Sequence, residues 1–342
     1  MGFSECRTDR SGTVMNKKTI ISIVAILVVL VLLPMVITSP YHMHLVITTC
    51  INVMLGFSFS LLYSAGMLSI AGGAFWGIGA YASALLVMKL GFSFWTALPL
   101  SAFIALLVAL VLGTVITKTS GLAFMIQTLV LAMIIPEIFG NFELFGGWAG
   151  LLGIPAPNSL GPIAFLGKVP FYYLAITLLL LNVLVFQALY FSRVGRAWRA
   201  IRLNPNLAAM LGVNIFRYRM IAFMISSASA GLAGSLYAHY FQSLEPGMFG
   251  AYKGINIQIF SLLGGLNFSI LGPVIGAAIM TFVPEFLRVS KEIEPILTGA
   301  LLIFLVIFLP GGILSFGELI TNKREAFRRR KAKARMDECQ YE

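Results

Sequence analysis

The residues able to do covalent or metal chemistry are few and far apart. Cysteine occurs at 6, 50 and 339, and histidine at 42, 44 and 239. That spacing offers no CxxC pair and no disulfide framework. No Ser/His/Asp arrangement, metal-ligand cluster or carboxylate pair is visible, and no G-x-x-x-x-G-K-[ST] loop occurs. The chain therefore reads as something other than an enzyme, with no nucleotide-binding cofactor site of its own. What remains is recognition and docking chemistry.

One polar stretch is built for that. Between two apolar runs lies Ser192 to Arg219, with Arg196, Arg199 and Arg202 at helical spacing. Asn204 suits an N-cap, Pro205 the first helical position and Gly212 the position after the C-cap. The spacing predicts a two-turn helix over Asn206–Leu211, carrying Leu207, Ala208, Met210 and Leu211. A helix so short does not hold its shape alone in water and needs a partner to bury Leu207, Met210 and Leu211.

The elements that position this loop follow from composition. Of 342 residues, 59% are hydrophobic and 11% charged, where a soluble domain carries about 25% charged residues. Most of the surface therefore faces lipid. A hydrocarbon core needs about 20 apolar residues per helix. Spans are predicted near 19–38, 45–63, 67–88, 94–116, 122–140, 170–191, 219–241, 254–268, 270–288 and 296–316. Glycine and serine interrupt 67–88 and 254–288, so these are expected as broken or re-entrant helices. The fold class is an all-α polytopic bundle of about 8–10 transmembrane helices.

Charge sets the orientation. With both termini inside, 19 of the 24 Lys and Arg fall on inside segments and 5, including Lys253, in outside gaps or at outer helix ends. The expected layout is a cytoplasmic N-terminal segment (1–18), a transmembrane domain (19–316) and a basic cytoplasmic tail (317–342). Within the domain lie an external loop (141–169) and a cytoplasmic loop (192–218). Cys6 defeats a myristoylation motif at the start. The run from Ile20 lacks a cleavage site and reads as a retained helix. The net charge of +11 marks topology, since no basic stripe interleaved with aromatics points to nucleic acid. No Asp, Lys or Arg falls mid-span, which favours a pathway with few fixed charges over an ion-coupled carrier.

The loop closely resembles the coupling loop of permeases in branched-chain amino acid ABC importers. The pattern S-x-x-G-R-A-x-R-A-I-R-x-N, then an alanine and G-[IV]-N, is met at Ser192, Gly195, Arg196, Ala197, Arg199, Ala200, Ile201, Arg202, Asn204, Ala208, Gly212, Val213 and Asn214. Downstream, Ala230–Tyr237 is similar to A-G-L-A-G-x-L-Y, and Leu263–Gly265 with Leu271–Ala277 is similar to L-G-G…G-P-x-x-G-A. Gly146-Gly147 followed by Gly150–Pro155, and Leu309–Gly312, resemble signatures of the LivM-type subunit. The likeness runs from about residue 45 to 316. Departures fall at Ser69–Gly73, where the family has Ser-Leu-Gly-His, at Glu245 and at Gly121–Phe124.

The resemblance implies a division of labour. Two cytoplasmic ABC ATPases would carry ATP and Mg and bind the coupling helices. A second homologous permease would complete the pore, and an extracytoplasmic binding protein would deliver Leu, Ile or Val. The membrane would be the bacterial or archaeal cytoplasmic (inner) membrane. Urea or short amides remain open as substrates, as does an autonomous channel or secondary carrier. Polar and small residues singled out for the pathway are Asn52, Ser69, Gly72, Gly73, Gln127, Thr128, Gln258, Asn267, Ser269 and Gly272. For any one of them, hydrogen bonding or packing between helices is the competing role. A weak echo of Ser69–Gly72 at Ser269–Gly272 hints at duplicated broken helices.

Overall fold

A computed structural model of the chain describes residues 40–157, 167–265 and 271–286, together with Gly299. The expected spans at 19–38 and 296–316, the N-terminal segment and the basic tail lie outside the described residues. So do Asn267, Ser269 and Arg288.

The described residues are helical almost throughout. In order they form α1 (Pro40–Ser64), α2 (Gly72–Met88), α3 (Phe94–Ile116), α4 (Leu122–Asn141), α5 (Lys168–Phe191), α6 (Arg193–Leu203), α7 (Pro205–Met210), α8 (Ile215–Phe241), α9 (Ala251–Gly264) and α10 (Leu271–Phe286). Among the described residues five helices, namely α1, α3, α4, α5 and α8, are long and apolar enough to cross a membrane. Backbone groups in hydrocarbon must bond within their own segment, so such runs have no stable alternative to helix.

Burial separates the centre from the rim. The apolar windows of α1 and α8 are 78% and 61% buried, against 28–39% for α3, α4 and α5. The outer faces of those three suit lipid or another chain. At the centre, α2 and α8 cross with backbone against backbone. A Cβ on Gly79 would run into the main chain of Gly231, and one on Gly234 into the carbonyl of Trp76. Small residues admit this approach where hydrophobicity alone gives helices no reason to associate in lipid.

α2 and α9 are both shorter than a membrane is thick. α2 has 17 residues and α9 has 14, so at 1.5 Å per residue they reach only about 26 and 21 Å. The interruption expected within 67–88 falls before Gly72, where α2 begins, and α9 runs from Ala251 to Gly264. Residues 67–71 return into the bundle without helical structure, and they are buried apart from Leu68. Their amides are satisfied locally and across the fold: Met67 N donates to Leu62 O (3.1 Å), Ala71 N to Ser69 Oγ (3.2 Å) and Ile70 N to Thr128 Oγ1 (3.2 Å). The start of α9 meets the start of α2. A Cβ on Gly73 would lie 2.9 Å from Gly250 O, and one on Gly254 would overlap the carbonyl of Ile70. The short helix that meets the start of α2 is thus α9; the echo at Ser269–Gly272 falls partly outside the described residues.

At the end of the bundle opposite α6 and α7, a two-stranded antiparallel ribbon pairs β1 (Leu151–Leu152) with β2 (Ser243–Leu244). It ties the 141–157 segment to the C-terminal end of α8. His239 reinforces the tie from inside, through Nδ1 to Pro155 O (2.8 Å) and Nε2 to Ser83 Oγ (2.9 Å).

Candidate functional site

The loop from 192 to 214 is ordered by its own caps. Ser192 Oγ accepts from Val194 N (3.1 Å) and Gly195 N (3.4 Å), which starts α6 directly after α5. Asn204 Oδ1 accepts from Asn206 N (3.0 Å) and Leu207 N (3.2 Å), and Pro205 opens α7. At its other end Gly212 sits at φ +82°. Val213 N reaches back to Ala208 O (3.0 Å) and Gly212 N to Ala209 O (2.9 Å), the paired bonds of a Schellman motif.

Three latches hold this loop to three spans. Trp198 is 1% exposed and donates Nε1–H to Tyr218 O at the start of α8 (2.8 Å). Arg199 donates to Tyr190 O on α5 (2.8 Å) and lies 4.6 Å from that ring's centroid. Arg202 donates to Tyr63 Oη on α1 (2.9 Å), its guanidinium 3.9 Å from the ring centroid. Gly66, just past α1, comes so close that a Cβ there would sit 3.2 Å from Cα of Arg202. Of the stripe read from spacing, Arg196 is exposed, while Arg199 and Arg202 turn inward as anchors.

The opposite face is bare. Leu203 is 87% exposed, Leu207 57%, Met210 83% and Leu211 83%, whereas Ala208 is buried. Four large apolar side chains on a capped surface outside the apolar spans form a patch that water does not suit.

Deeper in the bundle a small closed cleft lies between α1, α2, α8 and α9. Hydroxyls of Ser58, Ser69, Ser226 and Ser227 share its lining with Phe59, Leu62, Phe75 and Phe223. Of the pathway residues expected from sequence, Ser69 and Gly72 line it. Thr128 and Ser69 also cap the irregular entry to α2, as described. Gly73 and Gly272 are backbone-contact positions, the latter against Gly265 O. Gln127 accepts from Thr119 Oγ1 (2.9 Å) near the start of α4, away from the cleft lining. Gln258 is buried, with Nε2 unbonded.

Asn52, midway along α1, donates to Thr281 Oγ1 on α10 (3.0 Å) and accepts from Lys253 Nζ on α9 (3.2 Å). The Lys253 ammonium also lies 5.0 Å from the Trp76 ring centroid. This corrects the placing of Lys253 at an outer helix end: its charge reaches the level of Asn52. Because α9 starts inside the bundle, hydropathy alone put Lys253 in a surface gap. Glu285 on α10 accepts from Tyr41 Oη on α1.

Sequence reasoning missed Tyr63, Tyr190, Trp198 and Tyr218 as latches, and Ser226-Ser227 as cleft lining. A signal existed for Trp198: Gly195, Trp198 and Ile201 recur on one face of α6, and all are buried.

Crossing helices, two half-helices meeting inside the bundle and a capped, latched loop with a bare apolar face define a polytopic membrane transport subunit. The chain belongs to the branched-chain amino acid transport system / permease component family, whose model matches residues 41–308. It is 29% identical over 316 residues to the high-affinity branched-chain amino acid transport system permease protein LivM of Salmonella typhimurium, covering 85% of this chain and 74% of that protein. The LivM of Escherichia coli K12 gives the same identity and coverage. LivH of Salmonella typhimurium, a permease protein of the same named system, is 34% identical over 132 residues, covering 38% of this chain and 42% of LivH. No solved structure matches. A permease component moves its cargo unchanged, so this chain is a transport subunit and not an enzyme.

Proposed function

We propose that the chain is one of two permease subunits of a binding-protein-dependent ABC importer for branched-chain amino acids, with the 192–214 loop cytoplasmic and both termini on that side. The observation that carries this is the loop: a capped helix whose bare Leu203, Leu207, Met210 and Leu211 face away from the bundle while its other side is latched to α1, α5 and α8. A patch of that kind is buried by another protein, and the protein that fits is an ABC ATPase. ATP and Mg then reside on two such ATPases, because this chain carries no P-loop.

The latches supply the mechanism. Movement of the ATPases pushes α7. Through Trp198, Arg199 and Arg202 the push reaches α8, α5 and α1 together. α1 and α8 wall the cleft, so their displacement opens it to one side or the other, an alternation between two packings of one bundle. The cleft has room for about one water as it stands; widened by that displacement, its hydroxyls backed by phenyl and leucyl walls suit a small solute with a polar head and a branched aliphatic tail, in keeping with the cargo named for the LivM and LivH relatives. An external binding protein would deliver it to the ribbon end.

The test is gentle extraction of the tagged chain from its native membrane, with Leu207→Asp/Met210→Asp alongside. Wild type is expected to bring two ATPases and a second permease. The double variant is expected to lose the ATPases and leucine uptake while keeping its own membrane level. Recovery of ATPases by the variant at wild-type yield would remove the docking role, and their absence from the wild-type preparation would remove the importer assignment.

A further inference from the structure

α4 has two stripes. Phe124, Thr128, Ala132, Ile135 and Phe139 are buried in the bundle. On the other side Leu122, Ile126, Val130, Met133, Glu137 and Asn141 are exposed at intervals of three and four. The exposed stripes of α3 and α5 are apolar, with threonine hydroxyls folded back onto their own helices, as in Thr114 to Val111 O and Thr177 to Tyr173 O. Only the stripe on α4, of these three, carries an exposed carboxylate and carboxamide within the span.

That carboxylate stands against two physical tendencies. α4 has 20 residues, about 30 Å, which is the hydrocarbon thickness with nothing to spare. Glu137 lies four residues inside the end, facing outward on an apolar stripe. The last turn of a helix also carries negative partial charge, and α4 has no basic residue there to offset it. Among the described residues the Glu137 carboxylate has one hydrogen bond, from Asn141 Nδ2 at 3.4 Å. A donor or cation brought by another chain reverses both effects, whereas lipid acyl chains reverse neither.

We propose that the exposed stripe of α4 is the surface on which a homologous but non-identical permease packs, with the Glu137 carboxylate accepting from a basic or amide side chain of that partner. This rests on the reading of the chain as one of two permease subunits. Identity of the two chains is disfavoured by geometry. Two copies related by an axis along the membrane normal set Glu137 at equal depth, so a seam centred on it brings like charges together. The similarity of this chain to both LivM and LivH, which occur together in Salmonella typhimurium, supplies a partner of the required kind.

A photoreactive benzoylphenylalanine placed at Ile134 on α4, and separately at Leu107 on α3 and Leu181 on α5, tests this in native membranes. The expected result is an adduct between position 134 and a homologous, non-identical permease, at least tenfold above either control. Lipid adducts alone at 134, or equal labelling at all three positions, overturn the proposal, and a dominant adduct with a second copy of this chain overturns the non-identical pairing. ATPase recovery from the same membranes keeps the two readings apart: ATPases present without the adduct sink only this inference, and ATPases absent sink the importer assignment beneath it. Glu137→Gln is expected to keep recovery of the second permease within twofold of wild type, and Glu137→Leu to lower it fivefold or more at unchanged membrane level. Equal recovery with Glu137→Leu removes the carboxylate from the interface.

Discussion

The guanidinium of Arg202 lies 3.9 Å from the ring centroid of Tyr63 and donates to its hydroxyl, so a single side chain ties the last turn of α6 to the end of α1. A charge-assisted bond and a cation–π contact act together there, worth about 1.5–3 and 0.5–2 kcal/mol respectively. Tyr63→Phe keeps the second and loses the first, whereas Tyr63→Ala loses both. In proteoliposomes of the assembled transporter, Tyr63→Ala is expected to retain ATP hydrolysis and lose most uptake, with Tyr63→Phe intermediate. Parallel loss of hydrolysis and uptake in both variants would show that the contact stabilises the loop without transmitting motion.

Gly212 tests the shape of the loop separately from its surface. Nothing lies within 4 Å of a Cβ built there, yet φ is +82°. Gly212→Ala thus meets a conformational cost of about 1–2 kcal/mol and no clash, so uptake should fall severalfold. Gly212→Pro cannot adopt that angle at all. It is expected to abolish ATPase recovery with insertion intact, and normal uptake by this variant would end the case for a coupling helix.

The crossing of α2 and α8 leaves no room at Gly79, where a Cβ overlaps the main chain of Gly231. Gly79→Ala has to push two central helices apart, at a cost of about 1–3 kcal/mol. A clear drop in the melting temperature of the purified protein should follow, while Gly91→Ala, where a Cβ meets nothing, probes only local backbone strain and should move it less.

The Ser83–His239 pair has a defined sense. Pro155 O can only accept, so neutral His239 carries its proton on Nδ1, and Nε2 accepts from Ser83 Oγ, which in turn accepts from Ser235 Oγ at 2.8 Å. Ser83→Ala strands a buried acceptor at about 1–3 kcal/mol. Faster protease nicking within 141–157 is the expected sign that the ribbon end has loosened. An unchanged nicking rate would show that β1 and β2 hold that segment without His239.

Hydropathy found α3 with both ends in place because its flanks, Ser93 and Thr117, are polar and its run unbroken. It could not place the start of α2, since residues 67–71 are as apolar as a helix and one of the groups that holds them outside it is Thr128, remote in sequence and reached only through the fold. Lys253 went to the wrong depth for a related reason: a helix that begins inside the bundle has no polar gap to announce it. In the loop, Asn204, Pro205 and Gly212 were readable because a cap is local chemistry. Its latches were not, because Tyr63 and Tyr190 are distant in sequence and carry no mark of their partners.

The meeting of α2 and α9 at Gly73 and Gly254 has a consequence for leakage. Where these half-helices touch, main chain lies largely on main chain, so little of the barrier there depends on a rotamer. Thermal jostling of individual residues cannot crack it. It parts only when an entire helix is displaced, and the work for that has to arrive from outside the bundle.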